Sequence, residues 1–140
     1  MKLKEIMTKE VEVVHPDDST MEAARKMRNR DIGFLPICDG DRLVGVVTDR
    51  DLVLRSTAEG LDPNGSIGRD LMTSPVVYCF DDQDVKEAAK LMEEHQIRRV
   101  VVLDHKDKRL VGVVSLGDIA RNDTKKTSAE VLQSVSEPTA

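Results

Sequence analysis

At 140 residues the chain is long enough to bury a real core as one domain or a compact pair of half-domains. With 39% hydrophobic against 34% charged residues it reads as globular rather than disordered. A net charge of −5 and a pI of about 5.2 set its field against nucleic acid and anionic membrane, and the only aromatics, Phe34, Tyr78 and Phe80, make no platform for stacking bases. No apolar run approaches a membrane span and the opening MKLKEIMTKE lacks the apolar region of a signal peptide, so a cytoplasmic protein is expected.

In chain order the first element is an extended run at residues 11–14. Ser19-x-x-Glu22 then reads as a cap for an amphipathic helix, with Met21, Ala24 and Met27 on one face. Two strands follow, residues 34–38 and 43–48, reversed by Asp39-Gly40-Asp41. A second helix begins at Asp49 and stops near Gly60, and Leu61-Asp62-Pro63-Asn64-Gly65-Ser66 is a linker. The order then recurs. Residues 76–80 are extended, Asp84-x-x-Glu87 caps a helix with Val85, Ala88, Ala89 and Met92 on its apolar face, and residues 99–103 and 110–115 are strands around His105-Lys106-Asp107. Another helix starts at Leu116, and Ala129-Glu130-Val131-Leu132-Gln133 marks a short helix in a tail.

The recurrence is a duplication. Ile6-Met7-Thr8 returns as Leu71-Met72-Thr73 and Glu22-Ala23-Ala24 as Glu87-Ala88-Ala89, both offset by 65. After an insertion near His105-Lys106 the offset is 67, and Arg42-Leu43-Val44-Gly45-Val46-Val47 returns as Arg109-Leu110-Val111-Gly112-Val113-Val114. The expected organisation is repeat 1 at residues 1–60, a linker at 61–66, repeat 2 at 67–122 and a tail at 123–140. Each repeat is β-α-β-β-α and too small to cover its sheet alone, so the two are expected to pack through their sheets in an α/β (α+β) fold.

The chemistry concentrates where each last strand runs into a helix, at Thr48-x-x-Asp51 and Ser115-x-x-Asp118. One reading is a capping box, the hydroxyl taking a free helix N–H and the acid answering back. In the other, the carboxylate accepts hydrogen bonds from both hydroxyls of a ribose while the side-chain hydroxyl and the helix N-terminus face a phosphate. Both copies use Asp rather than the longer Glu or Gln usual in a box, and both follow an apolar Val-Val floor. Elsewhere the residues give bland readings. The basic run Arg25-Lys26-Met27-Arg28-Asn29-Arg30 is a solvated face, and Asp81-Asp82-Gln83-Asp84 lacks the glycine and distal Glu of a calcium loop. Met7, Met21, Met27, Met72 and Met92 are core filler, and Cys38 and Cys79 are reduced, buried thiols. His15, His95 and His105 form no ligand pair at metal-site spacing, and no nucleophile and base are placed together, so neither a metal site nor an enzyme is expected.

These features together resemble a tandem pair of CBS domains, the modules named after cystathionine β-synthase (a Bateman module). The carriers are the Met-Thr lead-ins, the β-α-β-β-α order twice over, Gly33-Phe34-Leu35-Pro36-Ile37 and the two G-V-V-[T/S]-x-x-D runs, over about residues 3–122. The chain layout is similar to small stand-alone bacterial CBS-pair proteins. The resemblance implies a regulatory module that binds an adenosine-containing ligand (AMP, ADP, ATP or S-adenosylmethionine), needs no cofactor, forms a homodimer and signals to an unidentified protein partner. Occupancy is expected to shift the population between two arrangements of the halves. A ligand-free interaction module, its T/S-x-x-D runs serving only as caps, is the alternative.

Carried over position by position, the resemblance implies two nucleotide sites. Site A comprises Val46, Thr48, Arg50, Asp51, Val76, Val77, Arg98 and Arg99. Site B comprises Val11, Glu12, Gly33, Phe34, Ser115 and Asp118. The run His95-Gln96-Ile97-Arg98-Arg99-Val100 resembles the segment that supplies phosphate-contacting basic residues in the regulatory γ subunit of AMP-activated protein kinase, a member of the family. Arg98 stands where that segment often has His, and an arginine grips phosphate through two donors. Glu12 and Gly33 leave site B without a basic group, so site A is the expected polyphosphate site.

Overall fold

The computed structural model describes residues 1–122 and 125–136. The chain forms two compact units, one of Glu12–Val76 and one of Met1–Val11 with Val77–Ala140. These units are not the sequence repeats. Each repeat gives its lead-in to the unit built on the other repeat, a trade that the duplication alone does not reveal.

In the unit Glu12–Val76, α1 (Thr20–Arg30) begins where the Ser19 hydroxyl accepts a bond from the Glu22 N–H at 3.1 Å, and it ends at Asp31 in the left-handed conformation. Its buried face is Ala23 and Met27; Met21 is half-buried and Ala24 is exposed, so the apolar stripe runs one position away from the expected Met21, Ala24 and Met27. The hairpin of β1 (Phe34–Asp39) and β2 (Arg42–Thr48) pairs Phe34 with Thr48 and Asp39 with Arg42, with a register shift at Ile37/Cys38. Gly40 turns the hairpin at φ +61, a region open to glycine without cost. Residues 11–14 contribute a single parallel bridge, Val14 to Ile37, rather than a strand. After α2 (Asp49–Asp51) the helix widens into a π-helical stretch, Leu52–Thr57, which buries Leu52 and Ser56. Ile67 and Leu71, in and just after α3 (Ile67–Asp70), complete a core with Val14, Leu35, Ile37 and Val47.

The other unit repeats this pattern and adds to it. β3 (Tyr78–Phe80) pairs parallel to β4 (Arg99–Leu103), which pairs antiparallel to β5 (Leu110–Ser115). α4 (Val85–His95), capped by Asp84, buries Val85, Ala88, Ala89 and Met92. The Asp84 carboxylate takes the N–H of Lys86. α5 (Leu116–Asn122) and α6 (Lys125–Val135) pack with α4, and Val131 is fully buried. The tail helix is therefore longer than residues 129–133 and belongs to the core of this unit; residues 123, 124 and 137–140 of the tail lie outside the described residues.

In both units the exchanged lead-in lies along the last strand. Thr8 and Val113 exchange backbone bonds of 2.9 and 3.0 Å, and Thr73 and Val46 exchange bonds of 2.9 and 3.1 Å. The glycines of the G-V-V runs make room for it. A Cβ at Gly112 would lie 2.6 Å from Met7 Sδ, and one at Gly45 would lie 2.1 Å from Met72 Cγ.

At the turn beyond β3 the Asp82 carboxylate lies 2.9 and 3.1 Å from His105 Nδ1, and the imidazole stacks on Phe80 at 4.4 Å between centroids. The bond from His105 holds the Asp82 carboxyl below its usual range. A carboxyl depressed in the folded state stabilises above the unfolded value and loses that contribution as pH falls through the folded one. His105→Ala is expected to return the Asp82 carboxyl upward in a carboxyl-carbon NMR titration. An unchanged midpoint would show that the bond does not form.

Candidate functional site

The two hydroxyl–acid runs are built alike. At the end of β2, Thr48 Oγ1 accepts from the Asp51 N–H at 3.1 Å and Asp51 Oδ2 accepts from the Thr48 N–H at 2.9 Å. At the end of β5, Ser115 Oγ accepts from the Asp118 N–H at 3.0 Å and Asp118 Oδ2 accepts from the Ser115 N–H at 2.9 Å. Both are closed capping boxes, so the capping reading of these residues is a structural fact. Asp closes each box across the same three-residue gap that Glu or Gln usually spans.

The box uses one oxygen of each acid, and the other oxygen distinguishes the copies. Asp51 Oδ1 has Arg55 Nε at 3.7 Å, beyond hydrogen-bond length, and Arg55 is drawn off toward the Leu71 carbonyl (3.2 Å) and Thr73 Oγ1 (3.4 Å). Asp118 is buried and its Oδ1 is taken by the guanidinium of Arg121. Neither arginine was singled out in the sequence, although the spacings Asp51-x-x-x-Arg55 and Asp118-x-x-Arg121 are the i,i+4 and i,i+3 pairs that meet on a helix.

The start of α2 offers no free donor to a phosphate. The Thr48 and Asp51 N–H groups serve the box, that of Asp49 binds the Gly33 carbonyl at 2.9 Å, and that of Arg50 binds its neighbour Asp49 Oδ1 at 2.8 Å. An anion near this run must therefore be held by side chains, not by the helix terminus.

Each unit also brings its second-strand entrance beside its own hydroxyl–acid run. Phe34 pairs with Thr48 and Gly33 binds Asp49; Arg99 pairs with Ser115 and the Arg98 carbonyl accepts from the Leu116 N–H at 2.8 Å. The difference in charge follows from two positions. A Cβ at Gly33 would lie 2.6 Å from Asp49 Oδ2, so that entrance admits no side chain while the acid lies over it. In the other copy Leu116 replaces the acid and Arg98 replaces the glycine. The Ser115 run thus carries Arg98, Arg99 and Arg121 against Asp118, whereas the Thr48 run carries Arg50 and Arg55 against Asp49 and Asp51.

Of the remaining residues, Val46, Thr48, Arg50, Asp51 and Val76 of site A belong to the unit Glu12–Val76 with Glu12, Gly33 and Phe34 of site B. Val77, Arg98 and Arg99 belong to the other unit with Val11, Ser115 and Asp118. Val11, Val46, Val76 and Val77 are half-buried, and Arg98 and Arg99 are exposed, with Arg98 Nη2 donating to Ser136 Oγ at 3.5 Å. Glu12 is not a lone acid: Lys26 and Arg30 of α1 both stand 3.4 Å from it, so two members of the basic run pair rather than simply face solvent. Cys38 and Cys79 are free thiols. Burial, with Glu87 adding to it, pushes Cys79 up to about 11, and burial with Asp41 raises Cys38. Among the described residues no three His, Cys, Asp or Glu side chains are placed to hold a metal ion, and no helix is long and apolar enough to cross a membrane.

Such a pair of α+β units, each with an exchanged lead-in and a hydroxyl–acid run at the end of its last strand, is the architecture of a duplicated module. The family model for the CBS domain matches the chain twice, over residues 3–57 and 67–125. Hypoxic response protein 1 of Mycobacterium tuberculosis (strain CDC 1551 / Oshkosh) is 39% identical over 138 residues, covering 98% of this chain and 95% of that protein. The crystal structure of Hypoxic Response Protein I with two coordinated zinc ions aligns at a TM-score of 0.80 and 42% identity, covering 89% of this chain and all of that one. The CBS pair of protein MJ0100, in complex with 5-methylthioadenosine and S-adenosyl-L-methionine, aligns at 0.76 and 32% identity, covering 86% and 94%. CBS domain protein PAE2072 of Pyrobaculum aerophilum, complexed with AMP, aligns at 0.79 and 27% identity, covering 95% and 99%. The chain belongs to the CBS domain family. It is a pair of CBS repeats with the α+β fold of that family, and two of the aligned CBS-pair structures hold adenosine-containing ligands.

Proposed function

We propose that this protein senses an adenosine-containing ligand, one of AMP, ADP, ATP or S-adenosylmethionine, and passes its occupancy to a protein partner from a homodimer in the cytoplasm. The observation that carries the reading is the second oxygen of Asp51, which meets Arg55 in an ion pair of 3.7 Å, longer than a hydrogen bond. The cap consumes Oδ2 and leaves Oδ1 at a half-buried position with no hydrogen bond, which suits a carboxylate awaiting ribose hydroxyls. Ligands of this class bound to MJ0100 and PAE2072 support it. In this proposal site A is the principal site, as the resemblance assigns it. Asp51 and Thr48 serve the ribose, Val46, Val76 and Val77 supply apolar contact, and Arg50, Arg98 and Arg99 neutralise phosphate. Site B, with Val11, Glu12, Gly33, Phe34, Ser115 and Asp118, is the weaker one, since Glu12 and Asp49 oppose an anion there. The pairing of Glu12 with Lys26 and Arg30 softens that opposition without supplying a free cation.

Thermal melts of the wild type and Arg98→Ala, with AMP, ATP and S-adenosylmethionine, separate sensor from scaffold. A ligand at about 100 times its dissociation constant adds roughly 2.7 kcal/mol to the folded state. Arg98→Ala is expected to weaken ATP more than AMP, because each further phosphate adds charge for the guanidinium to meet. Melts unmoved by all three ligands would favour the ligand-free interaction module, and equal losses for ATP and AMP would remove Arg98 from the phosphates.

A further inference from the structure

We infer that Arg121 is a latch on the Asp118 run, an intramolecular occupant of the oxygen that a ribose would need. The inference rests on the ribose reading of the hydroxyl–acid runs. Asp118 is 7% exposed, and it commits Oδ2 to the Ser115 N–H and Oδ1 to Arg121. The guanidinium has room there because residue 117 is glycine: a Cβ would lie 3.2 Å from Arg121 Nη1. Residue 117 corresponds to Arg50 in the other copy and Arg121 to Leu54; the cation near Asp51 is Arg55, one position further on, which is tied to Leu71 and Thr73 and pairs with Asp51 only at 3.7 Å. The same capping box therefore presents one acid in a long ion pair and one acid hydrogen-bonded to its arginine. The Arg121 side chain is 69% exposed, so a ligand can meet it from solvent. A ribose must displace it, so the latch lowers affinity at the Asp118 run and makes the Asp51 run fill first. Arg121 is thus a positioning residue that sets the order of occupancy, and an adenosine ligand reaches the second run only at higher concentration.

The test is calorimetric titration of the wild type, Arg121→Met, Asp51→Ala and Asp51→Ala/Arg121→Met with AMP and with 2′-deoxy-AMP. Arg121→Met is expected to tighten the weaker AMP event roughly fivefold, the effect of removing a partly exposed ion pair. The double variant should show an AMP event at concentrations where Asp51→Ala alone shows none. No gain is expected with 2′-deoxy-AMP, which lacks a hydroxyl that the released oxygen would accept from; a change in helix stability alone would not discriminate the two nucleotides. Arg121→Gln, with thermal melts of every variant, checks that the outcome does not depend on the choice of methionine. Wild-type binding with a weaker event that Arg121→Met leaves unchanged, weakens, or tightens equally for both nucleotides would overturn the latch alone. Folded wild type and Arg121→Met that both fail to bind AMP would overturn the ribose reading and the latch with it.

Discussion

Gly45→Val is expected to destabilise the protein by about 2–3 kcal/mol, the cost of forcing extra methyl groups into a closed contact. The added Cβ would stand 2.1 Å from Met72 Cγ, 2.4 Å from its sulfur and 3.0 Å from the Thr73 carbonyl oxygen. Methionine bends readily, but the backbone beneath it is fixed, because Thr73 and Val46 bind each other in both directions. Gly112→Val should act similarly in the other unit, where Met7 Sδ at 2.6 Å and the Thr8 carbonyl at 2.9 Å close the same space. Ala24→Val, on the exposed side of α1, provides the comparison and should stay within about 0.5 kcal/mol on packing grounds. Urea unfolding of the three variants measures the difference. A Gly45→Val protein as stable as Ala24→Val would mean that the lead-in does not lie on β2.

That contact also shows what the sequence specifies and what it leaves open. The repeat, the element order and the second hairpin are legible because local signals set them: β4 and β5 occupy residues 99–103 and 110–115 as the apolar runs and turn residues indicate. The exchange of lead-ins is not legible. Met7-Thr8 and Met72-Thr73 are near-copies, so pattern alone gives no reason to prefer one strand over its duplicate. Residues 11–14 have strand composition, yet only Val14 bridges to β1, since composition does not say how far pairing extends. In α1 the stripe shifts to Ala23 because Ala23 and Met27, four apart, share a face; Ala24 is as apolar as Ala23 and the sequence does not rank them.

At the candidate site the capping boxes were readable from type and spacing. The guanidiniums were also there to be read, at i,i+4 and i,i+3 from the acids, but sequence spacing does not show that Arg55 also reaches Leu71 and Thr73 while Arg121 hydrogen-bonds its acid. Gly33 and Asp49 illustrate the same limit. Each is unremarkable alone, and only the structure places the Asp49 carboxylate 2.6 Å from where a Cβ on Gly33 would stand.

Asp51→Ala is expected to cost binding about 3 kcal/mol, or roughly a hundredfold, if the acid accepts two charge-assisted bonds from a ribose. Loss of the cap costs the helix start about 1 kcal/mol besides. Asp118→Ala should divide its effects the other way. It removes a buried carboxylate that answers both the Ser115 N–H and Arg121, so stability falls while the principal binding event changes less. Asp51→Asn keeps an acceptor for the Thr48 N–H without the charge, which separates the cap from the ligand contact.

The most direct measurement is isothermal titration of the folded protein with AMP, ATP and S-adenosylmethionine, run beside Asp51→Ala and Asp118→Ala. Saturable binding whose tighter event Asp51→Ala weakens about a hundredfold and Asp118→Ala largely spares is the predicted result, and it would make Asp51 the ribose-binding acid of an adenosine sensor. No binding to the folded wild type, or equal losses in the two variants, would contradict the account and leave these acids as caps for their own helices.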